Sequence, residues 1–469
     1  MASRLTRQRN SGKVTLYPPM ERQSGWKRKA RDEVEKIFAF CEEYKNFLNL
    51  AKTEREAVRY LEGALTSEGF AAGSAAGKAF WVNRGKEVIA WRPGSRGPEE
   101  GLRIIIAHID APRLDLKQNP LYEDVDLALL RTHYYGGIKK YHWVAVPLAM
   151  HGIIVKADGR VVDVVIGEDE HDPVFAIDDL LPHLSRKTQD EKKLSEAIEG
   201  EKLTILFGSM PLLGEEKHAV KKQILKILSD RYGVVEEDFI SAEIEVVPAF
   251  KARDVGLDAS LIGAYGQDDR ASAYPLLKAL CDAEEPIRGA MAIFVDKEEI
   301  GSEGNTSARS HFMKTFLYDV LAGSGQAVSE AVVQRILFNS KAVSADVNGA
   351  VNPNWQDVHE KQNACFLGGG ICVTKFTGHG GKVGASDANA EYVAEIRRLF
   401  SKEDIIWQTG ELGKIDEGGG GTVAKHLAEY GMDIIDMGAP LLAMHSPFEI
   451  SSKLDVYETY RAFKAFLAL

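Results

Sequence analysis

The chain has 469 residues, 45% hydrophobic and 27% charged, a composition that can bury a large core and excludes wholesale disorder. The length exceeds what one hydrophobic core serves and predicts two domains. A formal net charge of -11 argues against nucleic acid or an anionic membrane as partner, and no apolar run reaches spanning length, since Trp143 to Val155 is broken by Pro147, His151 and Gly152.

The N-terminal arm is basic, with Arg4, Arg7, Arg9, Lys13, Arg22, Lys27, Arg28 and Lys29, and lacks the apolar core of a secretory signal, which predicts a cytoplasmic protein. Four cysteines without a Cys-x-x-Cys pair signal neither a disulfide framework nor a thiolate metal site. After the arm, Val34, Ile37, Phe38, Cys41, Tyr44, Phe47 and Leu48 recur at helical spacing. A second helix opens at Thr53, with Glu56 completing a capping box. From Ala79 the runs are short and β-rich, and Leu102 to Ala107 reads as a buried strand ending at His108.

Between Leu114 and Lys251 the texture changes. Val144 to Ile166 alternates around the turn Ala157-Asp158-Gly159, a hairpin signal, and Val220 to Tyr232 is an amphipathic helix stopped by Gly233. A strand at Glu243 to Val247 brings the chain back. The expected division is a discontinuous domain, 1–113 and 253–469, and a β-rich insert, 114–252. From Leu257 onward strands alternate with helical patterns such as Ser386 to Phe400 and Thr422 to Tyr430, which predicts an α/β fold with a mostly parallel central sheet flanked by helices.

Five apolar runs each end in a potential metal ligand. Leu102 to Ala107 leads to His108, Leu261 to Tyr265 to Asp268, Ala290 to Val295 to Glu298-Glu299, Ala342 to Ala345 to Asp346, and Leu441 to Met444 to His445. Ligands of open α/β sheets lie beyond the carboxyl ends of the strands, so the five ends are expected to converge. Two histidines with carboxylates form a donor set for zinc, cobalt or manganese, and a bridging carboxylate admits two divalent ions. Asp110 is spaced to take the outer ring N–H of His108. The adjacent Glu298 and Glu299 divide two roles, one facing the metals and one facing a water.

These residues resemble the aspartyl aminopeptidase and aminopeptidase I family of co-catalytic zinc metallopeptidases. The resemblance rests on His108-x-Asp110-x-Pro112-Arg113, Asp268-Asp269, Glu298-Glu299-x-Gly301-Ser302-Glu303, Ser344-Ala345-Asp346 and Met444-His445-Ser446, and covers nearly the whole chain after the arm. It implies a zinc-dependent aminopeptidase that removes the N-terminal residue of peptides. His108 and Asp346 would bind one zinc, Glu299 and His445 the other, with Asp268 bridging and Glu298 as general base. It also implies an inserted dimerisation domain, dimers building up to a dodecamer, and a catalytic contribution from His183 in a neighbour's active site.

The chain departs from the acid-preferring branch of that family at Tyr135-Gly136-Gly137-Ile138-Lys139-Lys140 and at Val347-Asn348-Gly349, where a histidine is missing. Lys375, in the run Val373 to Phe376, lies where that branch places a lysine near the substrate side chain, and reads equally as a contact for an acidic side chain or as a surface-strand lysine. Gly378 to Gly381 and Gly418 to Gly421 are candidate close-approach loops or simple punctuation. Two competing functions share the ligands: a non-peptide deacylase, and a catalytically silent shell or cargo protein.

Overall fold

The computed structural model describes residues 22–73, 77–323, 325–326 and 328–469; Arg4, Arg7, Arg9 and Lys13 of the basic arm lie outside the described residues. From Arg22 the arm runs along the body. Gly25 N donates to Gly368 O at 2.7 Å, and Lys29 pairs with the buried Glu458 at 2.8 Å.

The two expected helices span Arg31–Leu50 and Glu54–Ser67. Thr53 caps the second: the Glu56 amide donates to its hydroxyl at 3.3 Å, and Glu56 Oε2 accepts the Thr53 amide at 3.1 Å. Together they place Phe47 between Tyr60 and Tyr274, with ring centroids 4.8 and 5.6 Å away. Phe47 is fully buried, so Phe47→Ala should destabilise the fold by about 3 to 5 kcal/mol. Urea denaturation of the purified variant measures this.

The mixed α/β architecture is built on a nine-stranded sheet. Its centre is four parallel strands in the order Ala290–Val295, Arg103–His108, Lys341–Ser344 and Asp433–Gly438. The run Ile104-Ile105-Ile106 is apolar throughout because both faces are covered. Ile105 packs with the helices Gln267–Cys281 and Lys453–Leu467, whereas Ile104 and Ile106 pack with Phe312–Gly323 and Glu330–Asn339.

A five-stranded sheet lies beside it, ordered Arg253–Val255, Leu261–Ala264, Glu449–Ser452, Pro440–Leu442, Asn348–Gly349. Two of the five expected strand ends, those before Asp268 and His445, belong here and not to the central sheet. Leu261–Ala264 pairs antiparallel with Glu449–Ser452, which in turn pairs with Pro440–Leu442. The expected helix from Ser386 begins at Ala390, because Asp387 takes a φ of 44° and Asn389 is extended.

Residues 113–248 form a six-stranded antiparallel sheet with its own core around Leu114, Leu130, Trp143 and Val246. The hairpin turn at Asp158-Gly159 joins Leu148–Val155 to Val161–Ile166 as expected. The helix Ala219–Tyr232 ends at Gly233, whose φ of 62° is the left-handed conformation glycine adopts without a Cβ penalty. Among the described residues no helix is long and apolar enough to cross a membrane.

Candidate metal centre

The carboxyl edge of the central strands and the turns of the five-stranded sheet meet at one cluster. His108 is the last residue of its strand and is buried. Its Nδ1 lies 3.2 Å from Asp110 Oδ1 and 3.1 Å from Asp110 O, and its Nε2 lies 3.1 Å from Asp268 Oδ1. His445 approaches Asp268 from the other side, with Nε2 3.2 Å from Oδ2 and 3.4 Å from Glu299 Oε1. Its Nδ1 donates to Gly137 O at 2.9 Å. Each imidazole therefore spends one nitrogen on an outer acceptor and aims the other at a shared carboxylate, the orientation expected of metal-ligating histidines.

Two ligand groups are close-set. The donor atoms of His108, Asp268 and Glu299 lie within 4.8 Å of one another, as do those of His108, Asp269 and Asp346. Asp269 carries no role in the sequence reading, yet its carboxyl is fully buried in this cluster and neither oxygen has a hydrogen-bond partner. Glu299 Oε1 also makes no hydrogen bond. Burial raises the pKa of Glu299 and Asp346 well above the usual range, and the charge on Asp268 adds to it. Burial opposes the charge on His445, but the Asp268 hydrogen bond and Glu299 outweigh it and push its pKa up to about 10. Orphaned, mutually repelling carboxylates are unfavourable unless a cation joins them, so the donor set fits divalent metal. With nitrogen and oxygen donors and no sulfur, zinc is accommodated.

Glu298 and Glu299 have different surroundings. They sit on a short turn, Glu298–Ile300, and not at the strand end, which falls at Val295. The carboxylate of Asp110 accepts both their amides, each at 3.2 Å. Glu299 joins the ligand atoms while Glu298 lines the adjoining cavity outside those groups. Burial, aided by Asp110 and Asp268 and opposed by His108, pushes Glu298 up to about 7. Backbone strain gathers here too. Lys297, Ser302, Ala443 and His445 have φ of 69°, 59°, 56° and 64°, a conformation that side-chain-bearing residues adopt only where surrounding structure enforces it.

Glu449 was not foreseen. Its Oε1 accepts the His445 amide at 2.8 Å and its Oε2 the Asp268 amide at 3.1 Å, so one buried carboxylate ties the backbones of two cluster residues. The available signal was an acidic residue opening a buried strand four positions after His445.

A cavity of about 270 Å³ opens from the cluster. Phe376, Leu412, Ile415 and Met444 give it apolar surface, and Lys382 and Lys414 also reach its wall. Both glycine segments line it. At Gly419, with φ 120°, a Cβ would stand 2.2 Å from Gly378 O, so this close approach of two loops requires glycine. Lys375 is exposed and outside the lining, because Thr374 and Phe376 on either side of it face the cavity. His183 lies on the exposed turn Pro182–Ser185, also away from this cavity.

The family model described as aminopeptidase I zinc metalloprotease (M18) matches residues 47–467. A probable M18 family aminopeptidase 1 of Thermotoga maritima is 49% identical over 96% of this chain and 99% of its own length. The crystal structure of an M18 family aminopeptidase from the same organism superposes with a TM-score of 0.92 at 49% identity, covering 96% of this chain and 99% of that one. The S. cerevesiae mApe1 dodecamer shares the fold, with a TM-score of 0.71 at 20% identity over 91% of this chain and 95% of that one. With the cluster geometry and a match across most of its length, the chain belongs to the aminopeptidase I zinc metalloprotease family, M18.

Proposed function

We propose that the chain is an aminopeptidase working with two zinc ions and a Glu298 general base, and that it releases the N-terminal residue of peptides. The observation that carries this reading is Asp268, whose two carboxyl oxygens face Nε2 of His108 and Nε2 of His445. A carboxylate so flanked suits a bridge between two cations. His108 and Asp346 would hold one, Glu299 and His445 the other, and the buried Asp269 places a further carboxyl oxygen beside His108 and Asp346. When bound, the two cations supply Lewis-acid charge at the scissile carbonyl and lower the pKa of a water.

Glu298 takes the proton of the water that attacks the carbonyl and gives it to the nitrogen of the departing peptide. Asp110 holds the Glu298 and Glu299 amides, so the base and its neighbour keep a fixed spacing. Glu411 and Asp436 line the cavity without belonging to the proposed ligand set, and a carboxylate there, set against Lys382 and Lys414, can receive a cationic α-amine, which supports an exopeptidase over a deacylase. Zinc analysis together with leucine anilide and its N-acetylated form tests the reading. It predicts two zinc ions per chain and cleavage of the free-amine substrate alone; cleavage of the acetylated form with equal efficiency would sink it.

The pH profile follows from the base. Glu298 is active ionised, and its pKa is raised toward 7, so activity is present above that pKa and lost as pH falls through it. Bound cations draw this value down. We expect kcat/KM to fall tenfold per pH unit on an acid limb at or below about pH 7, and a profile flat through that range removes Glu298 from the role.

The six-stranded unit, 114–252, is proposed as the assembly domain of a dimer that builds to a dodecamer, with His183 reaching a neighbour's site. Leu181 and Leu184 flank His183 and are 52% and 63% exposed, apolar surface suited to cover by a partner subunit. The mApe1 dodecamer supports the same form of assembly. The four cysteines are free thiols, which fits a reducing, cytoplasmic compartment.

A further inference from the structure

We infer that Tyr135 is a positioning residue for the metal centre, fixing the His108 imidazole and the Glu298-Glu299 turn through the carboxylate of Asp110. The inference rests on the two-metal reading above. Asp110 is fully buried and gathers four donors. His108 Nδ1, which also meets the Asp110 main-chain oxygen at 3.1 Å, lies 3.2 Å from Oδ1, the amides of Glu298 and Glu299 approach at 3.2 Å, and the Tyr135 hydroxyl donates to Oδ2 at 2.8 Å, the shortest of the four carboxylate contacts.

The Tyr135 donor comes from a different part of the fold. Tyr135 is the last residue of Leu127–Tyr135 in the six-stranded sheet, where it pairs with Arg113. The Arg113 guanidinium lies 3.9 Å from the centroid of the Tyr135 ring. Arg113 is buried and held by Asp115 at 2.9 Å, Glu245 at 3.1 Å and Glu54 at 3.6 Å. The phenol is therefore clamped between a fixed cation and the carboxylate it serves.

The next two residues continue the brace. Gly136 has φ 73°, and a Cβ there would stand 3.3 Å from Glu299 Cβ; Gly137 O accepts from His445 Nδ1. Three consecutive residues thus reach Asp110, Glu299 and His445. Without the Tyr135 hydroxyl, Asp110 Oδ2 keeps only the Glu299 amide, and the carboxylate can rotate away from the imidazole, leaving His108 Nδ1 to the Asp110 main-chain oxygen alone. Partners that orient a ligating histidine alter metal affinity by roughly 10 to 100-fold.

Tyr135→Phe removes the hydroxyl and leaves the ring beneath Arg113, so the fold is retained. The zinc Kd, read by competition with a chromophoric chelator, should rise about tenfold, with kcat on leucine anilide lowered, KM unchanged and the melting temperature of the chelator-treated chain unchanged. Tyr134→Phe, at an exposed neighbouring position, should match wild type in all four. Unchanged zinc affinity in Tyr135→Phe overturns the inference, as does a loss of affinity matched by a lower melting temperature of the zinc-free chain, which assigns the hydroxyl to folding alone. Wild-type protein that takes up no zinc removes the two-metal reading and this inference together; wild-type uptake with an unaffected variant removes only Tyr135.

Discussion

Glu298→Gln should retain the full zinc content of the wild type and lower kcat on a leucine anilide by roughly 10² to 10⁴-fold, the usual contribution of a positioned general base. The amide keeps the size of the side chain and cannot accept a proton. Glu298 lines the cavity outside the two close-set ligand groups, so metal uptake does not depend on it. Its backbone amide still reaches Asp110, so the turn that carries Glu299 survives the exchange. Metal analysis and a steady-state assay on one preparation decide the matter. A variant that loses zinc would make Glu298 a ligand, and one that turns over normally would remove it from catalysis.

Asp268→Ala should be still more damaging, because it withdraws the one carboxylate that both histidines face. Without it His108 and His445 have no common partner, and although the repulsion from Asp268 is gone, burial still favours the neutral form of Glu299 and Asp346. We expect bound zinc to fall below half the wild-type content. Activity should drop on the order of 10³-fold or more, since losing Lewis-acid stabilisation raises the barrier by several kcal/mol. Elemental analysis after dialysis gives the first value and anilide hydrolysis the second. Retention of the full zinc complement would show that Asp268 does not bridge.

Much of this centre was legible in the chain because an apolar run marks a short buried strand, and the residues that follow it leave the sheet at that edge. His108 closes its strand, whereas Asp268, Glu299, Asp346 and His445 lie two to four residues beyond theirs, on the segments that follow. The run before Asp268 does not disclose that it joins a second sheet, since a four-residue apolar strand has the same composition in either. Asp269 and Glu449 escaped notice because a buried carboxylate declares its purpose only through its neighbours in space. Lys375 matches a position in the acid-preferring branch, but the strand ends at Thr374, and Lys375 is exposed outside the lining to which Thr374 and Phe376 contribute. Tyr135 stands out in the sequence only as the start of a segment that departs from the acid-preferring branch. Its hydroxyl matters only because the six-stranded sheet lies against Asp110.

The cluster draws on residues from position 108 to position 445 and on turns from two sheets. A ribosome-bound chain that has not yet emitted its last histidine cannot assemble the complete cage, however well its earlier helices and strands have formed. Hydrolytic power arrives late, as a property of the finished tertiary structure, and a half-made peptidase poses little danger to the newly made polypeptides around it.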